Sequence, residues 1–120
     1  MIRVLIVDAD ERRCVALAAG LEEAGGIEVV GTAGDGRTAC SATLALNPDV
    51  VLMAATLPGL SGEDATAWLS TECPSVRVVG LGDTGTQPST LLGAGAVSVV
   101  AHDAPAVAVA SAVLGAVAAA

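Results

Sequence analysis

The chain has 120 residues, 53% of them hydrophobic, a size that suits one domain with a single core. Its formal net charge is −8 with only five basic residues, so we expect its surface to repel nucleic acid and any contact with DNA to require a C-terminal domain outside this chain. The three cysteines are widely spaced and form no C-x-x-C pair, a pattern that indicates neither a disulfide framework nor a zinc site and favours a reducing cytoplasm.

Neither end of the chain predicts a membrane segment. Residues 1–7 form a short apolar run that leads into acidic residues, unlike a signal peptide. Residues 104–120 are uncharged, but they are mostly alanine and lack flanking basic or aromatic anchors. We therefore expect a cytoplasmic protein with no membrane partner.

The first two elements set a pattern that repeats along the chain. Ile2–Val7 is an apolar run rich in β-branched residues, which is typical of a strand buried on both faces. Glu11–Ala24 places apolar residues at helical spacing and stops at Gly25, which predicts a helix. The alternation continues with predicted strands at 27–32, 50–53, 76–81 and 96–101, and with predicted helices at 37–46, 61–71, within 82–95 and from 105 onward.

Start and stop signals refine the last three helices. Ser61, followed three residues later by Asp64, is a capping box for the third helix. The glycines and proline within 82–95 predict that the fourth helix is short. Asp103 and Pro105 are expected to cap and start the last helix.

Five strands alternating with five helices over short connections predict a three-layer α/β domain with a doubly wound, five-stranded parallel sheet. In such a sheet, ligands and chemistry gather at the carboxyl ends of the strands. The residues expected at that edge are Asp8, Ala9, Asp10, Ala54, Gly82 and His102.

Four stretches of the chain resemble bacterial response-regulator receiver domains: MIRVLIVDAD at 1–10, IEVVGTAGDG at 27–36, PDVVLMAATLPGLSG at 48–62 and GAVSVVAHD at 95–103. The resemblance covers essentially the whole chain and is closest to the LuxR/NarL type, which is fused to a helix-turn-helix. It implies a flavodoxin-like (CheY-like) fold. It also implies that residues 1–120 form the N-terminal receiver-like domain of a longer two-component regulator of transcription.

The resemblance also implies a phosphorylation pocket, and this chain departs from it. In such receivers an acidic pair helps hold Mg²⁺, an Asp after the third strand accepts the phosphoryl group, and a hydroxyl and a Lys engage the phosphoryl oxygens. The first acid falls on Asp8, but the second falls on Ala9, the acceptor on Ala54, the hydroxyl on Gly82 and the Lys on His102. A methyl group cannot attack phosphorus. We therefore expect a degenerate pocket, with no catalytic residue, no bound metal and no cofactor, in a pseudo-receiver that acts independently of phosphorylation.

Two details of this pocket remain open from the sequence. Asp8 and Asp10 form either a weak cation site or acids at a strand end and helix start, and we favour the second interpretation. His102 either pairs with Asp8 and closes the pocket, where it could act as a pH switch, or lies in water at a strand end. Without an identified partner, the solvated interpretation is favoured.

The final helix predicts a partner surface, because residues 105–120 contain no charged side chain. If Ala110, Val113, Leu114 and Val117 face the sheet, the candidate interface is formed by Val107, Ser111, Gly115 and Ala118. We expect a homodimer, or a heterodimer with a related regulator, through this helix. Equally open is the hypothesis that a continuation of the chain covers the helix.

Two other functions remain as alternatives. The first is a small-molecule sensor whose ligand occupies the former phosphorylation pocket, near Ala9, Ala54 and Gly82. The second, a flavin carrier or small enzyme, is the weakest, because the chain has almost no aromatic residues to stack on a flavin.

Overall fold

The computed structural model describes residues 1–118 and contains five strands and five helices in strict alternation. The last two residues of the predicted final helix, 119 and 120, lie outside the described residues. The elements are β1 (Ile2–Val7), α1 (Glu11–Ala24), β2 (Ile27–Ala33), α2 (Gly36–Leu46), β3 (Val50–Ala54), α3 (Gly62–Glu72), β4 (Arg77–Gly82), α4 (Pro88–Ala94), β5 (Ser98–Ala101) and α5 (Ala106–Ala118).

All four strand pairings are parallel, and the strand order is β2-β1-β3-β4-β5. The order along the sheet reverses at β1 and β3, so the switch point lies between the ends of these two strands. Helices α1 and α5 cover one face of the sheet, and α2, α3 and α4 cover the other. The predicted three-layer, doubly wound, flavodoxin-like fold is confirmed.

Strands β1 and β3 are buried because both of their faces are covered. Alternate residues of β1 point into opposite layers: Val4 and Ile6 pack under α1 and α5, whereas Leu5 and Val7 pack under α2 and α3. Every residue of β3 is buried, which confirms it as the central strand. Continuous apolar sequence is what such a doubly covered strand requires.

Side chains cap three of the helices. Asp10 caps α1, Asp35 caps α2 and Ser61 caps α3, where Ser61 Oγ accepts from the Asp64 amide at 3.1 Å as the capping box predicts. α4 has only seven residues, which confirms the prediction of a short helix.

The prediction for the start of α5 was wrong in one respect. The carbonyl of Pro105 accepts from the amides of Ala108 and Val109, so Pro105 occupies the position before the helix and Asp103 lies in the preceding turn.

The orientation of α5 also differs from the prediction. Ala110 and Val113 face the sheet as expected, together with Val109 and Ala116. Leu114 and Val117, which were predicted to be buried, are 47% and 37% exposed. A helix that is apolar on all sides gives no amphipathic signal for its rotation.

Among residues 1–118, no helix is both long enough and apolar enough to cross a bilayer.

Candidate functional site at the carboxyl edge of the sheet

The structure brings the predicted pocket residues to one edge of the sheet. Asp8 follows β1, Ala54 ends β3, Gly82 ends β4 and His102 follows β5. These positions meet because the strands are parallel and their carboxyl ends lie side by side. Ala9 and Asp10 lie in the connection from β1 to α1, at the rim of the same edge.

Asp8 and His102 form a close pair at this edge. The Asp8 carboxylate is only 4% exposed, and its Oδ2 lies 2.6 Å from Nε2 of His102, whose side chain is about one-third exposed. A carboxylate can only accept, so Nε2 donates in this pair. The His102 amide also donates to the Gly82 carbonyl at 2.8 Å, which fixes the base of the side chain. The favoured prediction of a solvated histidine was therefore wrong.

The remaining oxygen of Asp8 is also engaged. Asp8 Oδ1 accepts from the Asp10 amide at 3.0 Å. The Asp10 carboxylate in turn points to α1, where Oδ1 accepts from the amides of Arg12 and Arg13 at 3.0 and 3.3 Å. This geometry supports the interpretation of Asp10 as a helix-start acid.

These residues do not fit a Mg²⁺ ion of the kind that receivers hold. Of the acidic pair only Asp8 is present, since Ala9 offers a methyl group, and both oxygens of Asp8 already accept hydrogen bonds. Within residues 1–118, no group of three or more His, Cys, Asp or Glu side chains has an arrangement that could hold a metal ion.

The acceptor position is filled by packed hydrocarbon. The Ala54 side chain is 2% exposed and belongs to the core cluster that includes Val7, Met53 and Leu57. Gly62, the first residue of α3, lies so close that a methyl group added there would overlap the Ala54 carbonyl. The Ala54 side chain therefore carries no nucleophilic atom and is enclosed by the core.

Sequence reasoning missed a second polar cluster at this edge, formed by Thr56, Asp83 and Thr86. Thr56 Oγ1 donates to Asp83 Oδ2 at 2.5 Å, and Thr86 Oγ1 donates to Asp83 Oδ1 at 2.7 Å. The bond from Thr56, then that from Thr86, holds the pKa of Asp83 below its ordinary value. An Asp followed three residues later by a Thr is a recognisable turn signal, but the bond to Thr56 spans 27 residues and is visible only in the fold.

A cavity of about 630 Å³ lies on the β2 side of Asp8, next to α1. We call it the α1 cavity, and it is lined by Asp8, Ala9, Glu11, Cys14, Val15, Ala18, Thr32, Ala33, Gly34, Asp35 and Thr38. Of the three residues predicted to line a ligand pocket, only Ala9 belongs to it. Burial, and then the nearby Asp8 and Asp10, raise the pKa of the Cys14 thiol.

The last third of the chain carries almost no charged side chains. Residues 84–120 contain one acid, Asp103, one histidine and no basic residue. The predicted interface residues Val107, Ser111, Gly115 and Ala118 are all exposed, which confirms their placement on the outer side of α5. Large hydrophobic residues are exposed on α4, directly before β5 and on α5, and we call them together the apolar face: Leu92, Val97, Val107, Leu114 and Val117.

Comparisons with known proteins agree with this architecture. The chain matches the response regulator receiver domain family over residues 4–114. It is 38% identical over 79 residues to the transcriptional regulatory protein LiaR of Bacillus subtilis, a match that covers 66% of this chain and 37% of LiaR. It is 45% identical over 74 residues to protein-glutamate methylesterase/protein-glutamine glutaminase 3 of Myxococcus xanthus, covering 62% of this chain and 21% of that protein.

Among solved structures, the chain is similar to the signal receiver domain of the NarL regulator from Mycobacterium tuberculosis. The TM-score is 0.87 at 26% identity, and the match covers 95% of this chain and 94% of that domain. The match to LiaR and to the methylesterase spans far less than two thirds of either protein. The shared sequence, strand order and site position identify this chain as a member of the response regulator receiver domain family of two-component signalling.

Proposed function

We propose that this receiver domain does not accept a phosphoryl group and acts by associating with a second copy of itself or with a related regulator. The observation that carries the first half of the proposal is the buried methyl group of Ala54 at the tip of β3. Phosphoryl transfer to a side chain needs an oxygen, nitrogen or sulfur nucleophile in line with the leaving group, and a methyl group has none.

The contacts of Asp8 and His102 support the same conclusion. In the receivers that this chain resembles, the acid helps hold Mg²⁺ and the Lys engages the phosphoryl group. Here the residues at those two positions bind each other at 2.6 Å. Neither side chain is free to serve an incoming phosphoryl group without breaking that pair.

The distribution of charge supports association through the apolar face. Two copies with a net charge of −8 repel each other over most of their surfaces. The apolar face is where two copies can meet without bringing like charges together, and it exposes large hydrophobic side chains. Val107, Ser111, Leu114 and Ala118 follow one another at helical spacing on α5, so one side of the helix presents a continuous strip.

We further propose that the output is regulation of transcription through a C-terminal DNA-binding domain. LiaR is a transcriptional regulatory protein, and the match to this chain spans 37% of it. The five arginines of this chain are outnumbered by thirteen acids, so DNA binding would belong to the other domain. No catalytic role is proposed for the receiver domain. Its three free thiols agree with a reducing cytoplasm.

A second candidate function is small-molecule sensing, and the α1 cavity is the observation that favours it. Its volume of about 630 Å³ lies in the range of ligand pockets. Its lining combines alanines and valine with the acids Asp8, Glu11 and Asp35 and contains no basic side chain. Such a lining suits a neutral or cationic metabolite, which a thermal-shift screen would reveal as a rise in unfolding temperature.

Two measurements on the purified chain test the main proposal. Incubation with acetyl phosphate and Mg²⁺, followed by intact mass, should leave the mass unchanged, while a phosphorylatable receiver treated in parallel gains one phosphoryl group. Sedimentation equilibrium should show reversible self-association. A stoichiometric phosphoryl adduct would refute the first half of the proposal. The second half would be refuted if the chain stayed strictly monomeric at high concentration and also formed no complex with a full-length related regulator.

A further inference from the structure

The loops after β3 and β4 are joined by one short hydrogen bond. Thr56 lies two residues beyond the end of β3, and Asp83 lies directly after β4. Thr56 Oγ1 donates to Asp83 Oδ2 at 2.5 Å. Both side chains are exposed to solvent, and the bond is charge-assisted when its acceptor is an ionised carboxylate.

The other oxygen of Asp83 organises its own loop. Asp83 Oδ1 accepts from Thr86 Oγ1 at 2.7 Å and from the Gly85 amide at 3.2 Å, and the Asp83 carbonyl accepts from the Thr86 amide at 3.0 Å. This loop leads into α4, whose N-cap residue Gln87 makes no side-chain capping bond. The Asp83 carboxylate therefore organises the turn that leads into α4.

The backbone beneath the two loops is firmly paired. The Ala55 amide donates to the Leu81 carbonyl at 3.0 Å, which continues the pairing of β3 and β4 beyond the strands. The Gly62 amide donates to the Ala55 carbonyl at 3.1 Å, which ties the start of α3 to the same point. Thr56 is thus held on a rigid base and presents its hydroxyl to Asp83.

We propose that the Asp83 carboxylate is a permanent, built-in substitute for a phosphoryl group: a fixed anion that draws the two loops together and holds α4 in one position. This inference rests on the proposed function, because it supplies the anion that the domain does not receive. In the receivers that this chain resembles, the anion is formed on the β3 side and a hydroxyl reaches it from the β4 side. Here the polarity is reversed, with the hydroxyl of Thr56 on the β3 side and the anion of Asp83 on the β4 side.

Two further observations fit this arrangement. Gly82, at the position where receivers carry the hydroxyl, has no side chain with which to reach an anion at the β3 tip. The hydroxyl donors lower the pKa of Asp83 and so favour the charged form of its carboxyl group. Because α4 contributes Leu92 to the apolar face, the same bond fixes part of the association surface.

Hydrogen exchange measured by mass spectrometry tests the inference, at a concentration where the chain is monomeric. The variants are Thr56→Val, which removes only the bond between the loops, and Asp83→Asn, which removes the anion. Asp103→Asn, an exposed acid in another turn, is the matched control. We expect peptides within residues 83–94 to exchange roughly threefold faster or more in both variants, and at the wild-type rate in the control.

The outcomes separate this inference from the proposed function. Wild-type exchange in Thr56→Val would overturn the inference, because Asp83 would then shape only its own turn. Faster exchange throughout the chain, rather than within 83–94, would also overturn it by showing a global loss of stability. Intact mass after incubation with acetyl phosphate is recorded on the same samples, and a phosphoryl adduct there would refute the proposed function whatever the exchange pattern.

Discussion

The Asp8 carboxylate and the His102 imidazole meet at 2.6 Å although β3 and β4 lie between the strands that they follow. The contact therefore crosses the tip of β3, where Ala54 is buried. In a phosphorylatable receiver this is the space above the acceptor. Here the His102 imidazole donates to the Asp8 carboxylate across this edge of the sheet, and the two residues are 94 positions apart in the sequence.

The first prediction concerns this pair. Asp8→Asn should lower the free energy of unfolding by about 1–2 kcal/mol, because a charge-assisted bond to a partly exposed imidazole becomes a neutral one. Urea unfolding near pH 6 measures the change. The amide oxygen of Asn can still accept from the Asp10 amide, so the lost stability reports on the hydrogen bond to His102. Asp103→Asn is the control, and equal stability of the two variants would contradict the prediction.

The second prediction concerns the apolar face. Leu114→Glu should weaken self-association by about tenfold or more, because it places a negative charge where two acidic chains meet. Sedimentation equilibrium measures the association constant. Leu44→Glu on α2 is the matched control, since Leu44 is exposed on the opposite side of the sheet. If the Leu44 variant dissociates and the Leu114 variant does not, the interface lies on the other layer.

The third prediction is a pH dependence at Asp83. Its pKa in the folded chain is below the ordinary value of 3.8, because Thr56 and then Thr86 donate to the charged form. His102, which faces it from the β5 side, acts in the same direction. The stabilisation is therefore present above the ordinary pKa and is lost as the pH falls through the lower folded value.

The measurement compares wild type with Asp83→Asn. The difference in unfolding free energy between them should be constant at neutral pH and should shrink as the pH falls from about 5 to about 2. Asp35, whose pKa is lowered by the Thr38 amide and hydroxyl, titrates in both chains and cancels in the comparison. A difference that grows on acidification would contradict the assigned direction.

The fourth prediction uses two glycines in helices. Gly62→Ala should destabilise the chain by about 1–3 kcal/mol, because the new methyl group would overlap the Ala54 carbonyl in backbone that has little room to shift. Gly115→Ala should instead stabilise it by about 0.5–1 kcal/mol, since a methyl group there meets nothing within 4 Å and alanine favours the helix. Thermal unfolding of both variants measures the change in unfolding temperature, which should be negative for Gly62→Ala and positive for Gly115→Ala. Equal changes would contradict the close packing of α3 against β3.

Much of the fold follows from the sequence, because buried parallel strands leave an unmistakable pattern. Residues 4–7 and Val50–Ala54 are continuous apolar runs, since helices cover both of their faces. The Ser61 capping box is equally local and was predicted to the residue. The convergence of Asp8, Ala54 and His102 at one edge also follows, because parallel strands end on the same side of a sheet.

The sequence by itself determined which chemical groups stand at that edge. The main one is the methyl group of Ala54, at the position where a phosphorylated receiver carries an aspartate. Only the tertiary structure decided which groups touch: His102 with Asp8, Thr56 with Asp83, and Leu114 with solvent rather than the sheet. The physical reason is the sequence separation over which each interaction acts. Hydrophobic period and capping act within a few residues, whereas these contacts depend on the paths of turns and on the rotation of a uniformly apolar helix, which packing of the whole chain sets.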